Sequence, residues 1–395
     1  MAKKIITGID VGTSSVRVVV CEQVRGEDAP HVLAMVSKKS RGLRHGYVVN
    51  FDETLNTIRE AIIEAEKKSE TKINYAILAI GGVGLDSATS HGSVAISRAD
   101  LEVSDFDVKR AVEACETNLK KTVNKHILQS IPVEFKIDGK KILGRPSGIK
   151  GEMLEVKTLF ITCVEQHLND LVAAVEAAGV SVEEVVASPI ASSFVTLNHI
   201  QKTAGCILVD IGAETVSLAV FEEGVPISLR VFSIGATDIT NDIALGLKIS
   251  IEEAEDLKVT NMSGSFSKRK LDEIIAARLS DIFDLIGAHL KKIGKNELLP
   301  AGVIMIGGGS NTSIIGPMAK EILNLPVRIA NVSVIMNAGR TPQPALVKKD
   351  IESCWAVAYG LCVMGIDPDA NLSFGTELAR QTKKNVIKWL KQFLP

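Results

Sequence analysis

The hydrophobic pattern of the chain draws the same figure twice. From Ile207 an apolar run leads into Asp210-Ile-Gly212, passes Ala213, Glu214 and Thr215, and resumes as Val216–Phe221 before Gly224. From Ile9 the sequence Asp10-Val-Gly12-Thr13-Ser14-Ser15 likewise leads into Val16-Arg-Val-Val-Val20 and closes at Glu22. Each reads as a strand, a tight turn holding an acid and a glycine, and a second strand. Two such hairpins this far apart predict two related domains facing each other. A third apolar run, Val303–Ile306, empties into Gly307-Gly308-Gly309-Ser310.

Between these landmarks the pattern alternates strands with helices. Val32–Val36 extends the first strand set, and Asn50 or Asp52 caps a helix carrying Leu55, Ile58, Ile62 and Ala65 on one face. Tyr75–Ile80 is a buried strand ending in Gly81-Gly82, which completes an α/β layer. The character then changes. Ser93–Ile96, a helix over Ser104–Asn118, strands at Ile127–Ile131 and Val133–Ile137, and a strand over Leu154–Cys163 describe a small inserted α+β module. It carries no catalytic chemistry, and its expected use is contact with another protein. A helix over Gln166–Ala178 stops at Gly179, Val182–Ala187 is a strand, and Pro189 opens a helix of small residues matched by another around Ala356–Leu361. Those two helices are expected to pack closely as a hinge. The second half adds a strand at Ile227–Phe232, a turn from Gly235 into helices, a capping box at Ser250 opening the helix 251–258, and a long amphipathic helix over Leu271–Lys292.

Composition narrows the function. The 395 residues are 46% hydrophobic and 23% charged, enough for two or more packed domains. A net charge of −2 gives no basic stripe for nucleic acid. The six cysteines stand singly, mostly in apolar runs, and the seven histidines lack metal-ligand spacing, so buried thiols in a reducing cytosol are expected instead of disulfides or zinc. No apolar run is long enough to span a bilayer.

The two turns have an evident chemical use. Gly12 and Gly212 let the backbone approach a ligand, and free N–H groups around Thr13, Ser14, Ser15 and Thr215 can cradle phosphate oxygens. Asp10 and Asp210 can hold a hydrated Mg²⁺ against those phosphates. Glu255 and Lys258 lie on one helix face, either as a solvated ion pair or, beside a nucleotide, as ligands of the ribose hydroxyls. At the C-terminus, Val386, Trp389, Leu390 and Phe393 fall on one helical face with Ile387 and Leu394 beside them, and Lys388 and Lys391 opposite. A short basic helix with such a face is an interfacial membrane anchor for an anionic surface, reversible unless several copies act together.

With these residues in view, the chain resembles the actin-like ATPase superfamily and, within it, the FtsA family of bacterial cell-division proteins. The two hairpins look like the superfamily's phosphate loops, and Gly307-Gly-Gly-Ser310 like its adenosine loop. The stretches 92–96, 129–139 and 148–156 look like the FtsA-specific subdomain 1C. The resemblance implies a two-domain actin-like α/β fold with duplicated RNase H-like cores. Its expected parts are a first core at 1–83 and 158–200, the insert at 84–157, a second core at 201–238 and 301–365, a base-binding subdomain at 239–300, a linker at 366–382, and the membrane helix at 383–395. It further implies ATP and Mg²⁺ as cofactors, with Gly235, Glu255, Lys258 and the 307–310 turn among the nucleotide ligands. The implied partners are the C-terminal peptide of FtsZ on 239–300, further copies in a filament, the inner membrane surface, and later division proteins on the insert. Two positions depart from the superfamily. Ser188 stands where a water-positioning Glu or Gln is usual, which predicts very slow ATP turnover or none, since losing a general base costs ~10²–10⁴ in rate. Glu214 replaces a phosphate-loop glycine and would repel a phosphate unless it turns outward or meets Mg²⁺. The competing expectations are a PilM-like adaptor of type IV pilus assembly, which the 129–156 stretch and the anchor helix oppose, and an active phosphotransferase or chaperone ATPase.

Overall fold

The computed structural model describes residues 4–366 apart from 25, 26, 28, 121, 122, 261–265, 313 and 339–344. The expected linker beyond Ile366 and the membrane helix lie outside the described residues.

Both hairpins form in the same register. Lys4–Val11 pairs antiparallel with Ser15–Gln23, setting Asp10 opposite Arg17, and parallel with Tyr75–Ile80, setting Asp10 beside Ala79. Cys206–Ile211 pairs antiparallel with Val216–Glu222, setting Asp210 opposite Ser217, and parallel with Val303–Ile306, setting Asp210 beside Ile306. The duplication thus extends beyond the hairpin to a third strand that runs into glycines in both halves.

These triplets are the centres of two sheets. The first runs, in spatial order, Ser181–Ala187, Tyr75–Ile80, Lys4–Val11, Ser15–Gln23, His31–Lys39, Val332–Ala338 and Ala345–Ile351. Its last two strands come from the stretch expected in the second core, and the helix Ala356–Ile366 also packs on the first core's strands. The chain therefore returns to the first core before residue 366. The reason is hydrophobic: Val332 and Val334 are fully buried there, and the helix face of Ala358, Leu361 and Cys362 covers the first hairpin.

The second sheet runs Val327–Ile329, Val303–Ile306, Cys206–Ile211, Val216–Glu222, Val225–Phe232, Asp86–Ala95, Met153–Val164, Lys125–Ile137 and Lys140–Ile142. Its strand Cys206–Ile211 is buried on both faces, which is why it reads as a continuous apolar run. Ile207 and Val209 face the helices Ala236–Leu247 and Lys268–Lys292, while Leu208 faces the first core. The last four strands belong to the insert, whose own core includes Val108, Phe135 and Phe160 under the helix Asp105–Asn118. The two strands expected at 127–137 are one strand, Lys125–Ile137. Pro132 sits inside it beside a register shift at Lys157/Thr158, the irregular pairing that accommodates a residue with no N–H to give.

The ladder between the insert and the second core is one residue pair long, and Lys141 of the insert adds an ion pair to Glu223 at 2.9 Å. Arg230 lies opposite Asp86 and binds its carboxylate at 2.8 Å. Ser87 Oγ donates to Leu229 O at 2.9 Å and accepts the Leu229 N–H at 2.7 Å.

Candidate functional site

The two turns face each other across a cleft of about 730 Å³ between the cores. They are built alike: Gly12 N–H donates to Ser15 O at 3.1 Å, and Gly212 N–H donates to Thr215 O at 2.9 Å. Asp10, Gly12, Thr13, Ser14, Ser15, Asp210, Gly212, Thr215, Glu255, Lys258, Gly307, Gly308 and Gly309 all line this one space. Ser310 and Gly235 do not. Ser310 is fully buried behind the glycines, its hydroxyl donating to Gly307 O at 2.7 Å. Gly235 supports the second turn from beneath, where a Cβ would collide with Ala213 O. Gly307 is required for a related reason: its φ of +88° is left-handed, and a Cβ would strike the Asp210 carboxylate.

The electrostatics of the floor are unusual. Burial pushes Asp10 up to about 6, against the pull of Arg17, whose Nη1 lies 3.8 Å from its carboxylate. Burial and the neighbouring Asp10 charge push Asp210 up to about 7, with Arg17 again opposing. Two desolvated carboxylates on one cleft floor, with Arg17 beside Asp10, are a donor set that a divalent cation would fit. Among the described residues no three His, Cys, Asp or Glu side chains converge as a metal cluster. A cation held by this pair would therefore keep most of its waters, as Mg²⁺ does. The hydroxyls of Ser15 and Ser40, both on the cleft wall, are buried without a partner among the described residues, an arrangement that suits a ligand with polar atoms.

On the opposite wall, Lys258 Nζ lies 2.7 Å from Glu255 Oε2 and donates to Thr240 Oγ1 at 2.7 Å, while Thr240 donates to Glu255 at 2.6 Å. Burial would raise Glu255, but Lys258 and Thr240 hold it below the ordinary carboxylate range. The pair is an ion pair that lies on the cleft. Ser188 begins the helix Ser188–Thr196 on the cleft wall with only a hydroxyl to offer. Glu214 also lines the cleft, and its carboxylate accepts the His45 N–H.

Several cleft residues were not anticipated: Arg17, Lys39, Ser40, Gly46, Gly81 and Gly82. Gly81-Gly82 carried a usable signal. They follow the strand that pairs with Asp10 as Gly307–Gly309 follow the strand that pairs with Asp210, so aligning whole triplets instead of hairpins would have exposed them.

Two facing strand–turn–strand units with an acid on each turn and a cleft between them define an actin-like two-domain protein. The fold is similar to that of the PilM-PilN type IV pilus biogenesis complex, with a TM-score of 0.67 at 18% identity over 92% of this chain and 99% of that one. It is also similar to MreB5 of Spiroplasma citri bound to ADP, with a TM-score of 0.52 at 13% identity over 91% of this chain and 96% of that one. The sequence is more specific. Residues 207–348 match the family described as cell division protein FtsA, and residues 82–162 match the SHS2 domain inserted in FtsA. The chain is 30% identical to the cell division protein FtsA of Pseudomonas aeruginosa over 348 residues, 82% of each chain. It belongs to the FtsA family of actin-like cell-division proteins. The likeness to PilM is one of fold.

Proposed function

We propose that the chain binds MgATP in the interdomain cleft, assembles into filaments on the inner face of the cytoplasmic membrane, and tethers the FtsZ ring there. The observation that carries the nucleotide reading is the pair of identical acid–glycine turns on one cleft, with Asp10 and Asp210 desolvated against each other. The turns around Gly12–Ser15 and Gly212–Thr215 hold the phosphates, and both acids hold Mg²⁺ through its waters. Glu255 and Lys258 meet the ribose, and Gly307–Gly309 the adenosine, with Gly235 and Ser310 behind them. The metal supplies charge neutralisation of the phosphates; this chain's residues orient the nucleotide and exclude water. Ser188 carries no carboxylate to position an attacking water, so turnover is slow or absent.

The family supports the remaining roles. The apolar residues Val386, Ile387, Trp389, Leu390, Phe393 and Leu394, with Lys388 and Lys391 among them, anchor the chain to anionic lipid. The 239–300 subdomain receives the C-terminal peptide of FtsZ, and the insert recruits later division proteins. Among the described residues no helix is long and apolar enough to cross a membrane. Titration of the chain with the FtsZ C-terminal peptide tests this reading. Saturable micromolar binding, weakened by substitutions on the 251–292 helices, is expected. Absence of binding while the chain still coats liposomes removes the tether role.

A further inference from the structure

Residues 45 and 46 bridge the two halves of the cleft. On one side, Gly46 N–H donates to Thr13 Oγ1 of the first turn at 3.0 Å. On the other, His45 N–H donates to Glu214 Oε2 of the second turn at 2.5 Å, and His45 Nδ1 lies 3.1 Å from Glu214 O. This strap is fixed to the first core. A Cβ on Gly46 would meet Gly82 Cα at 2.5 Å, Val83 N–H donates to His45 O at 3.3 Å, and Tyr47 packs on the His167 ring at 4.6 Å. The second turn is equally fixed, since Ala236 N–H donates to Gly212 O and Thr237 N–H to Ala213 O, at 2.9 and 2.7 Å. Between two rigid anchors, the parts free to let go are the Glu214 side chain and the His45 ring.

We propose that Glu214 is a clasp across the cleft, made to the main chain of His45, and that it sets the rate at which nucleotide enters and leaves. The proposal rests on the nucleotide reading above. A carboxylate in this position cannot rest in a phosphate cradle without repulsion, and the His45 N–H gives its charge a partner outside it. While the bond holds, the two turns stay together; nucleotide passes when it opens.

The clasp is read in two ways. In the nucleotide-free protein, hydrogen exchange at the His45 amide should quicken about tenfold or more in Glu214→Ala, because a charge-assisted bond has been removed. In stopped flow with a fluorescent ADP and Mg²⁺, Glu214→Ala should speed association and dissociation by about tenfold each. His45→Gly keeps the N–H and suits the φ of +48° but loses the ring contact to Glu214 O, so its effect should be smaller than that of Glu214→Ala, and an equal or larger effect overturns the assignment of the clasp to the main chain. Unchanged amide exchange in Glu214→Ala overturns the clasp. Faster exchange with unchanged nucleotide rates overturns its gating role. If the native protein binds no fluorescent ADP, the nucleotide reading falls and the gating role with it, while the exchange result still decides whether the bond exists.

Discussion

Asp210 is the residue on which the cleft's stability and its chemistry pull in opposite directions. Folding raises its pKa from the ordinary 3.8 to about 7, chiefly through burial and then through Asp10. An acid raised in this way suits the folded state only while protonated. Its cost begins as the unfolded carboxyl ionises near pH 4, and is complete above about pH 7. Asp210→Asn should therefore raise the metal-free melting temperature by roughly 5 °C at pH 8, with the gain shrinking toward pH 5. Added Mg²⁺ should raise the melting temperature of the native chain at pH 8 and leave Asp210→Asn nearly unmoved. Calorimetry across that pH range checks both. Asp107 in the insert shows the opposite sign: against the burial that would raise it, hydrogen bonds from Ser104 and Ser97 hold it down to about 2. Its contribution is present at neutral pH and lost only in strong acid.

Among elements, the joint between Ser188–Thr196 and Ala356–Ile366 brings two helix backbones together so closely that a Cβ on Gly360 would collide with Ala191 O. Gly360→Ala should cost about 1–3 kcal/mol, seen as a lower denaturant midpoint. This joint was visible in the sequence because dense small residues on two helices are a local pattern. So were both acid–glycine turns and the helix opened by Ser104, whose hydroxyl accepts the Asp107 N–H in a full capping box. The strands Val332–Ala338 and Ala345–Ile351 were not seen. Lys348, Lys349 and Asp350 break the alternation of the second, and pairing to His31–Lys39 is a long-range choice no window contains. For the same reason Arg17 was read as part of a strand: only its register opposite Asp10 brings its charge to the cleft floor.

At the scale of the whole molecule, nucleotide, membrane and FtsZ are assigned to separate parts, so their activities should separate. Removal of residues 383–395 should abolish sedimentation with anionic liposomes while leaving the affinities for MgATP and the FtsZ peptide unchanged. If the truncated chain lost peptide binding as well, the tail would be part of the receptor surface instead. The insert is placed differently from those parts. Its chain departs from the first core after Ile80 and rejoins it before Glu165, yet its strand is bonded to the second core through Asp86–Arg230 and Ser87–Leu229. It is a stay rope tied to both gunwales. A cleft that widens must either tear that short seam or tilt the insert, so any neighbour resting on the insert receives the cleft's width as an angle.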